Sequence, residues 1–428
     1  MPTDRLEHTV AAAATSLRTR LGLAPWAPAR ISLHVSRAAA RAVSSGERWV
    51  YQEAVLRTRG DGAAGDLAIL YGPDDKPFAI GLYDPDSALR VRVLTTTLGQ
   101  AVDASWLRAR IHESVSSRNF ELSQTNGFRL LHGIGEGLPG LVIDRYAGTC
   151  VIKVYSAAWL PWLPEVVGAL VASVPGLGAV LLRLNRKLQS LGGAIGPWHE
   201  GQQLYGDEAS LATSFVENGI VFEVEPRAGQ KTGFFLDQRE NRARVGAMSA
   251  GKRVLNVFCY TGGFSLYAAR GGAKEVVSID ASKLAMEALA RNFALNAAEL
   301  PTNLKAEHLT GDAFALMSGL RDAGRRFDVV IVDPPSFAKR SAEVETARSA
   351  YRRLAQLGAA LVAPGGTLVF ASCSSRVTTA MLEEELLVGA AQARKRLSII
   401  AREGHPSDHP IAMESQQYLG CLYARVGG

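Results

Sequence analysis

Asp333 and Cys373 are residues whose types and positions could share one chemical task. Asp333 closes the apolar run Phe327 to Asp333 and opens Asp333-Pro334-Pro335-Ser336-Phe337; Cys373 closes the run Thr367 to Cys373 and lies within Phe370-Ala371-Ser372-Cys373-Ser374-Ser375. A thiolate solves a real problem in pyrimidine chemistry. Carbon 5 of cytosine is a poor nucleophile, and sulfur addition at carbon 6 turns the ring into an enamine that attacks an electrophilic methyl group. A free thiol has a pKa of about 8.5, so the surroundings must activate it. A neighbouring carboxylate could hold or protonate nitrogen 3 of the ring as the adduct forms. Two prolines stiffen the loop and give up their N–H groups. That leaves carbonyls and a carboxylate suited to a flat base with polar edges, so Pro334, Pro335 and Phe337 are expected to contact it. The residue that removes the carbon 5 proton is not identifiable from sequence. A lone cysteine is most often a small buried hydrophobe, and that reading serves for Cys150, Cys259 and Cys421.

Two further carboxylates extend the pattern. In Arg253 to Ser282, RVLNVFCYTGGFSLYAARGGAKEVVSIDAS, an apolar run (Val254 to Tyr260) meets the turn Thr261-Gly262-Gly263. A helical pattern to Arg270 and a second run ending on Asp280 follow. Strand, glycine turn, helix, strand and terminal carboxylate is the form of a nucleoside-binding βαβ unit, with the carboxylate on ribose hydroxyls. The glycines are adjacent rather than spaced as G-x-G-x-x-G, which would admit a pyrophosphate. A ligand without phosphates, such as S-adenosylmethionine, fits better; taken alone, the unit could also be a crossover without ligand. Asp312 in Gly311-Asp312-Ala313 can reach an adenine amino group, cap the following helix, or do both. The cofactor-binding set is therefore Phe258, Tyr260, Thr261, Gly262, Gly263, Asp280, Ser282, Asp312, Asp333 and Gln238. Gln238 belongs to the polar stretch Gly229 to Arg242, GQKTGFFLDQRENR, which reads as a lid over the methyl donor; Lys231 in it is expected to meet the substrate.

The elements that must position these residues alternate cleanly. After Asp280 come helix Lys283 to Asn296, strand Leu304 to Leu309, helix Ala313 to Ala323 and strand Phe327 to Asp333. Helix Glu343 to Leu361, strand Thr367 to Cys373, helix Thr378 to Arg396 and strands Leu397 to Ala401 and Tyr418 to Val426 follow. Counting from Val254 gives seven strands, the last two without a helix between them and so antiparallel at one edge. This is the α/β class I methyltransferase arrangement, a Rossmann-like sheet with ligands at strand carboxyl ends. Strands four and five are neighbours about 4.8 Å apart, which sets Asp333 beside Cys373.

Five segments are expected. Residues 1–29 form an Ala-rich leader that reads as a frayed helix or flexible stretch, a poor signal peptide. Residues 30–95 hold short apolar runs between turn clusters, the pattern of a compact β-barrel. Residues 96–125 are a helical connector, and 126–214 a central α+β domain (β-β-β-α-β) with its linker. Residues 215–428 begin with a hairpin at Asn218-Gly219 and carry the large α/β domain.

Composition excludes little. The chain has 428 residues, 47% hydrophobic and 21% charged, with no apolar run long enough to span a membrane. Four widely spaced cysteines without a CxxC pair suggest neither a zinc site nor a disulfide scaffold, and fit a reducing cytoplasm. A net charge of +6 permits an anionic partner without demanding one.

The combination GQKTGFFLDQRENR, NVFCYTGGFS, VDPPSFAK and FASCSS, followed by His405-Pro406-Ser407-Asp408-His409-Pro410, resembles the RlmI-type class I ribosomal RNA large-subunit methyltransferases. The resemblance covers roughly residues 30 to 428. It implies S-adenosylmethionine as methyl donor, 5-methylcytidine in 23S rRNA as product and RNA as partner, with a homodimer left open. It further implies a PUA RNA-binding domain at 30–95, the family's central domain at 126–195, Cys373 as nucleophile, and Asp280, Asp312 and Asp333 lining the donor and base pocket. The additional leader and the stretch Ser44-Ser45-Gly46-Glu47-Arg48, where relatives tend to be more basic, depart from the pattern. Rival readings are a methyltransferase of the same fold acting on uridine carbon 5 or guanine N7, and an inactive RNA-binding or assembly protein.

Overall fold

A computed structural model describes residues 3–338 and 340–427. Met1, Pro2, Gly428 and Lys339, the last residue of VDPPSFAK, lie outside the described residues. The chain divides into two units, neither of them one continuous stretch: the first takes the residues up to Phe215, Val224–Leu236 and Asp408–Ala412, the second Val216–Glu223, Asp237–Ser407 and Met413 onward. The excursions follow their hydrogen bonds. In the first unit, Thr232 Oγ1 donates to Asp144 Oδ2 (2.6 Å), and the Arg129 amide donates to Asp408 Oδ2 (2.9 Å). Among the described residues no helix is long and apolar enough to cross a membrane.

The first unit begins with helix α1 (Thr3–Arg20), where the sequence suggested a frayed helix or flexible stretch. Val10, Ala14 and Leu17 recur at helical spacing and are buried, Arg18 pairs with Glu165 (2.6 Å), and Arg20 donates to the Leu204 carbonyl (2.6 Å). The apolar run is weak in composition but sits on one helical face, so it packs. Next come β1 (Arg30–Val35), α2 (Arg37–Ser44), β2 (Trp49–Tyr51), β3 (Val55–Arg59), β4 (Leu67–Tyr71), β5 (Pro77–Tyr83) and β6 (Leu89–Thr95). They form a six-stranded sheet in the order β2-β6-β5-β4-β1-β3 around a core that includes Leu33, Val50, Leu70 and Val93. Helix α3 (Ala104–Ser116) leads to β7 (Gly127–Leu131), β8 (Leu141–Tyr146), β9 (Thr149–Val154), α4 (Leu163–Ser173), β10 (Ala179–Leu184), α5 (Arg186–Leu191) and β11 (Gln203–Tyr205). The five strands lie in the order β11-β10-β9-β8-β7.

Strands β12 (Ser214–Glu217) and β13 (Ile220–Glu223) form the expected hairpin, with Asn218 at φ 50° and Gly219 at φ 77°, the paired positive angles of a two-residue turn. The second unit continues with α6 (Arg239–Ala247), β14 (Arg253–Val257), α7 (Gly263–Arg270), β15 (Glu275–Asp280), α8 (Lys283–Leu295), β16 (Lys305–Thr310), α9 (Ala313–Asp322) and β17 (Phe327–Val332). Then follow α10 (Val344–Leu361), β18 (Val362–Ser372), α11 (Thr379–Gln392), β19 (Leu397–Glu403) and β20 (Gly420–Val426). The seven strands lie in the order β16-β15-β14-β17-β18-β20-β19, the first five parallel and β20 antiparallel to both neighbours. Residues such as Val254, Leu255, Val330 and Ile331 are fully buried because helices cover both faces. One core includes Met317, Tyr351, Leu354 and Leu382 from α9, α10 and α11, the other Val245, Phe264 and Ala268 from α6 and α7.

Candidate active site

The parallel strands of the second unit run toward one edge, where Asp280 ends β15 and Asp333 and Cys373 directly follow β17 and β18. Beyond β14 the backbone bends sharply: Phe258 has φ 61°, Tyr260 φ 50° and Gly262 φ 86°. Positive φ is uncommon outside glycine and must be held by its surroundings. Here the Asp280 carboxylate holds it. Its Oδ2 accepts from the Tyr260 amide (2.8 Å) and its Oδ1 from the Ser282 amide (2.9 Å). A carboxylate offers about four acceptor sites, so these bonds leave capacity for a ligand. Asn292 Nδ2 donates to the Thr261 carbonyl (2.9 Å), and a Cβ on Gly262 would stand 2.8 Å from Leu289 Cγ. Gly263 begins α7. The Thr261 hydroxyl is buried without a protein partner. An orphaned polar atom at a glycine turn, beside a half-buried carboxylate, is what a polar nucleoside ligand would satisfy. The residues present therefore fit S-adenosylmethionine.

Ser282 and Asp312 also serve as helix caps. The Ser282 hydroxyl accepts from the Ala285 amide (3.2 Å) and Asp312 Oδ1 from the Ala315 amide (2.9 Å). Asp312 is exposed at the head of α9.

At the ends of β17 and β18 the register pairs Val332 with Phe370, so Asp333 and Cys373 leave neighbouring strands. Cys373 is the first residue beyond β18, which stops at Ser372. The thiol is half-buried, and its Sγ lies 4.0 Å from the Pro334 carbonyl oxygen. Pro334 is buried and Pro335 exposed. Phe337 meets Tyr351 edge-on, centroids 5.3 Å apart, and the Tyr351 hydroxyl is hydrogen-bonded to Ser372 Oγ (2.8 Å). Tyr351 thus ties the loop after β17 and the end of β18 to α10. Its phenol is pushed up by burial and by the nearby Cys373 and Asp333, so it stays protonated.

The other three cysteines are core residues. Burial pushes the Cys150 thiol up to about 12 and the Cys259 and Cys421 thiols well up from the ordinary value. None of them is placed as a nucleophile needs to be, half open and at a strand end.

Gln238, expected among the cofactor residues, is buried with its Nε2 donating to Asp333 Oδ2 (3.0 Å). Sequence reasoning missed Tyr351, Asn241 and Tyr423. The spacing of Gln238 and Asn241, three apart at a helix start, carried a signal for their mutual hydrogen bond. Tyr351 and Tyr423 read only as apolar positions.

Lys231 lies in the first unit. Its ammonium stands 4.4 Å from the centroid of the Phe235 ring, and its carbonyl accepts from Lys153 Nζ (3.0 Å). The Lys153 ammonium is pushed down by burial and by the charge of Arg183. Thr232 and the Phe234 amide are hydrogen-bonded to Tyr146 (3.0 and 3.1 Å), so this stretch is fastened to the five-stranded sheet. Among the described residues no group of His, Cys, Asp and Glu could hold a metal ion.

Comparison with known proteins points to the family. Residues 197–419 match the S-adenosylmethionine-dependent methyltransferase family and residues 33–96 a PUA-like domain. A ribosomal RNA large subunit methyltransferase of Deinococcus radiodurans is 42% identical over 405 residues, covering 93% of this chain and 98% of the relative. The ribosomal RNA large subunit methyltransferase I of Shewanella frigidimarina is 33% identical over 389 residues, 88% of this chain and 95% of its own length. Among solved structures, a methyltransferase complexed with SAH superposes with a TM-score of 0.78 at 22% identity, covering 92% of this chain and 100% of the other. By its motifs, its two matched domains and these relatives, the chain belongs to the RlmI-type family of S-adenosylmethionine-dependent ribosomal RNA large-subunit methyltransferases.

Proposed function

We propose that this enzyme methylates carbon 5 of a cytosine in ribosomal RNA through a covalent adduct with Cys373. The single observation behind this reading is the placement of that thiol. It is half-buried at the end of β18, 4.0 Å from the Pro334 carbonyl, while the other cysteines are buried in cores. Nitrogen-directed methylation uses an already nucleophilic atom and needs no such thiol.

Bound S-adenosylmethionine supplies an electrophilic methyl group on sulfonium. On the protein side, the Cys373 sulfur adds to pyrimidine carbon 6, which places the ring's electron pair at carbon 5 for bond formation to that methyl. Solvent water then takes the carbon 5 proton, and the electron pair of that bond re-forms the ring double bond and expels the Cys373 thiolate. Asp333 holds the polar edge of the base, Pro334, Pro335 and Phe337 border it, and the Tyr351–Ser372 bond fixes the strand end from which Cys373 projects. Asp280 and the turn from Phe258 to Gly263 hold the donor, with Thr261 offering its unpaired hydroxyl. The base must leave any helical stack to reach the thiol. The relatives' names support ribosomal RNA as substrate.

RNA carrying 5-fluorocytidine at the target should trap the enzyme, because fluorine cannot leave as a proton. Cys373→Ala should give neither adduct nor product while retaining donor binding. A methylating Cys373→Ala enzyme would return the assignment to nitrogen-directed chemistry.

A further inference from the structure

A chain of buried hydrogen bonds ends on Asp333. Gln238 Nε2 donates to Asp333 Oδ2 (3.0 Å), Asn241 Nδ2 donates to Gln238 Oε1 (2.6 Å), and the Tyr423 hydroxyl donates to Asn241 Oδ1 (3.1 Å). All three supporting side chains are buried. They come from separate places: the turn before α6, the first turn of α6, and β20, where Tyr423 pairs with Val369 of β18.

Chemistry fixes the direction of the chain. An ionised carboxylate only accepts, so Gln238 must turn its NH2 toward Asp333. Its oxygen then faces Asn241, which must answer with its own NH2, and the Asn241 oxygen needs a donor. The Tyr423 hydroxyl is within reach of it (3.1 Å) and also of the Asn241 main-chain carbonyl (3.3 Å). Burial, with help from Cys421, pushes its phenol far up, so it keeps its proton throughout the neutral range. A proton on Asp333 Oδ2 directed at Gln238 would require both amides to turn over inside a packed core.

We propose that Gln238, Asn241 and Tyr423 are positioning residues that hold Asp333 as an ionised hydrogen-bond acceptor toward the target base. This deepens the function proposed above and rests on it: of holding the ring or protonating it, the relay favours holding, which suits a base with an amino group. Among the described residues, the titratable groups facing Asp333 include the Tyr351 phenol from α10 and the Cys421 thiol from β20, both pushed up in part by its charge, with the Cys373 thiol beyond β18. Asp237 and Arg239 flank Gln238 on its own turn.

The test is the pH dependence of kcat at saturating donor and RNA for wild type, Asn241→Asp and Tyr423→Phe. Asn241→Asp keeps size and shape, but its carboxylate demands the Gln238 NH2 and turns the Gln238 oxygen toward Asp333. That raises the Asp333 pKa. A carboxylate active when ionised loses activity as pH falls through its pKa, so the acid limb should move to higher pH, by roughly one unit. KM for the donor should be unchanged, and raising the pH should restore kcat. Tyr423→Phe should shift the limb the same way by less. Folded variants with an unmoved acid limb, or with a loss that pH does not restore, overturn the relay. Asp333→Asn and Cys373→Ala separate the two levels: full activity of Asp333→Asn removes the Asp333 role and the relay with it, whereas a methylating Cys373→Ala enzyme removes the reading beneath them. An inactive Asp333→Asn beside unshifted relay variants removes the relay alone.

Discussion

Beyond β14 and β15 the site is made from backbone, whereas beyond β17 and β18 it is made from side chains held by other side chains. At the first pair of strands, positive φ at Phe258, Tyr260 and Gly262 shapes a turn that one carboxylate, Asp280, fastens through two main-chain amides. At the second pair, Asp333 is held by the Gln238 amide, and Tyr351 reaches from α10 to grip Ser372 and face Phe337. Under the proposed function, the difference matches two tasks. A donor shared by many reactions can be recognised by main-chain shape and one carboxylate. Bond-making at carbon needs groups placed to within a fraction of an ångström, and rotamer-locked side chains with supporting hydrogen bonds achieve that.

If the first region works through its backbone, Asp280→Ala should have the larger effect, since it removes two charge-assisted hydrogen bonds together with the donor contact. Each is worth about 1.5–3 kcal/mol. Donor affinity by calorimetry should fall by roughly ten- to a hundredfold; unchanged affinity in a folded variant would take Asp280 out of the site. Gly262→Ala comes next. It forces an alanine into φ 86° and against Leu289, for about 1–3 kcal/mol in stability. Chemical denaturation would measure it beside Gly319→Ala in α9, where nothing lies within 4 Å of the added carbon and stability should hold or rise. Equal effects at both glycines would erase the case for the turn.

The smallest effect should come from the second region. Tyr351→Phe removes only the hydroxyl that bonds Ser372, worth about 1 kcal/mol. Single-turnover rates should drop less than about fivefold with donor affinity untouched. A change in donor affinity instead would mean that the two regions are not separable.

Much of the first region was legible in the sequence because its determinants are local. Adjacent glycines after a buried strand and a carboxylate closing the next strand announce a tight turn and its anchor. The sheet was legible for the same reason: apolar runs of strand length alternating with helical periodicity leave few topologies. The second region was legible only at its ends, Asp333 and Cys373. Gln238 read as a cofactor group because its polarity was visible and its neighbour was not. Val10, Ala14 and Leu17 made a packed helix of a stretch that composition marked as loose.

The sequence by itself determined which residues could act. It contained a cysteine closing the fifth strand, carboxylates closing three strands, and a turn without the spaced glycines that admit a pyrophosphate. Tertiary structure alone decided what state those residues are held in. Gln238, Asn241, Tyr423 and Asp333 are separated by up to 185 residues in the chain, and no local pattern links them. The amide that meets Asp333, the phenol that ends the relay and the thiol left half open are set by long-range packing, because hydrogen bonds in a buried core are directional and strand order brings their partners together.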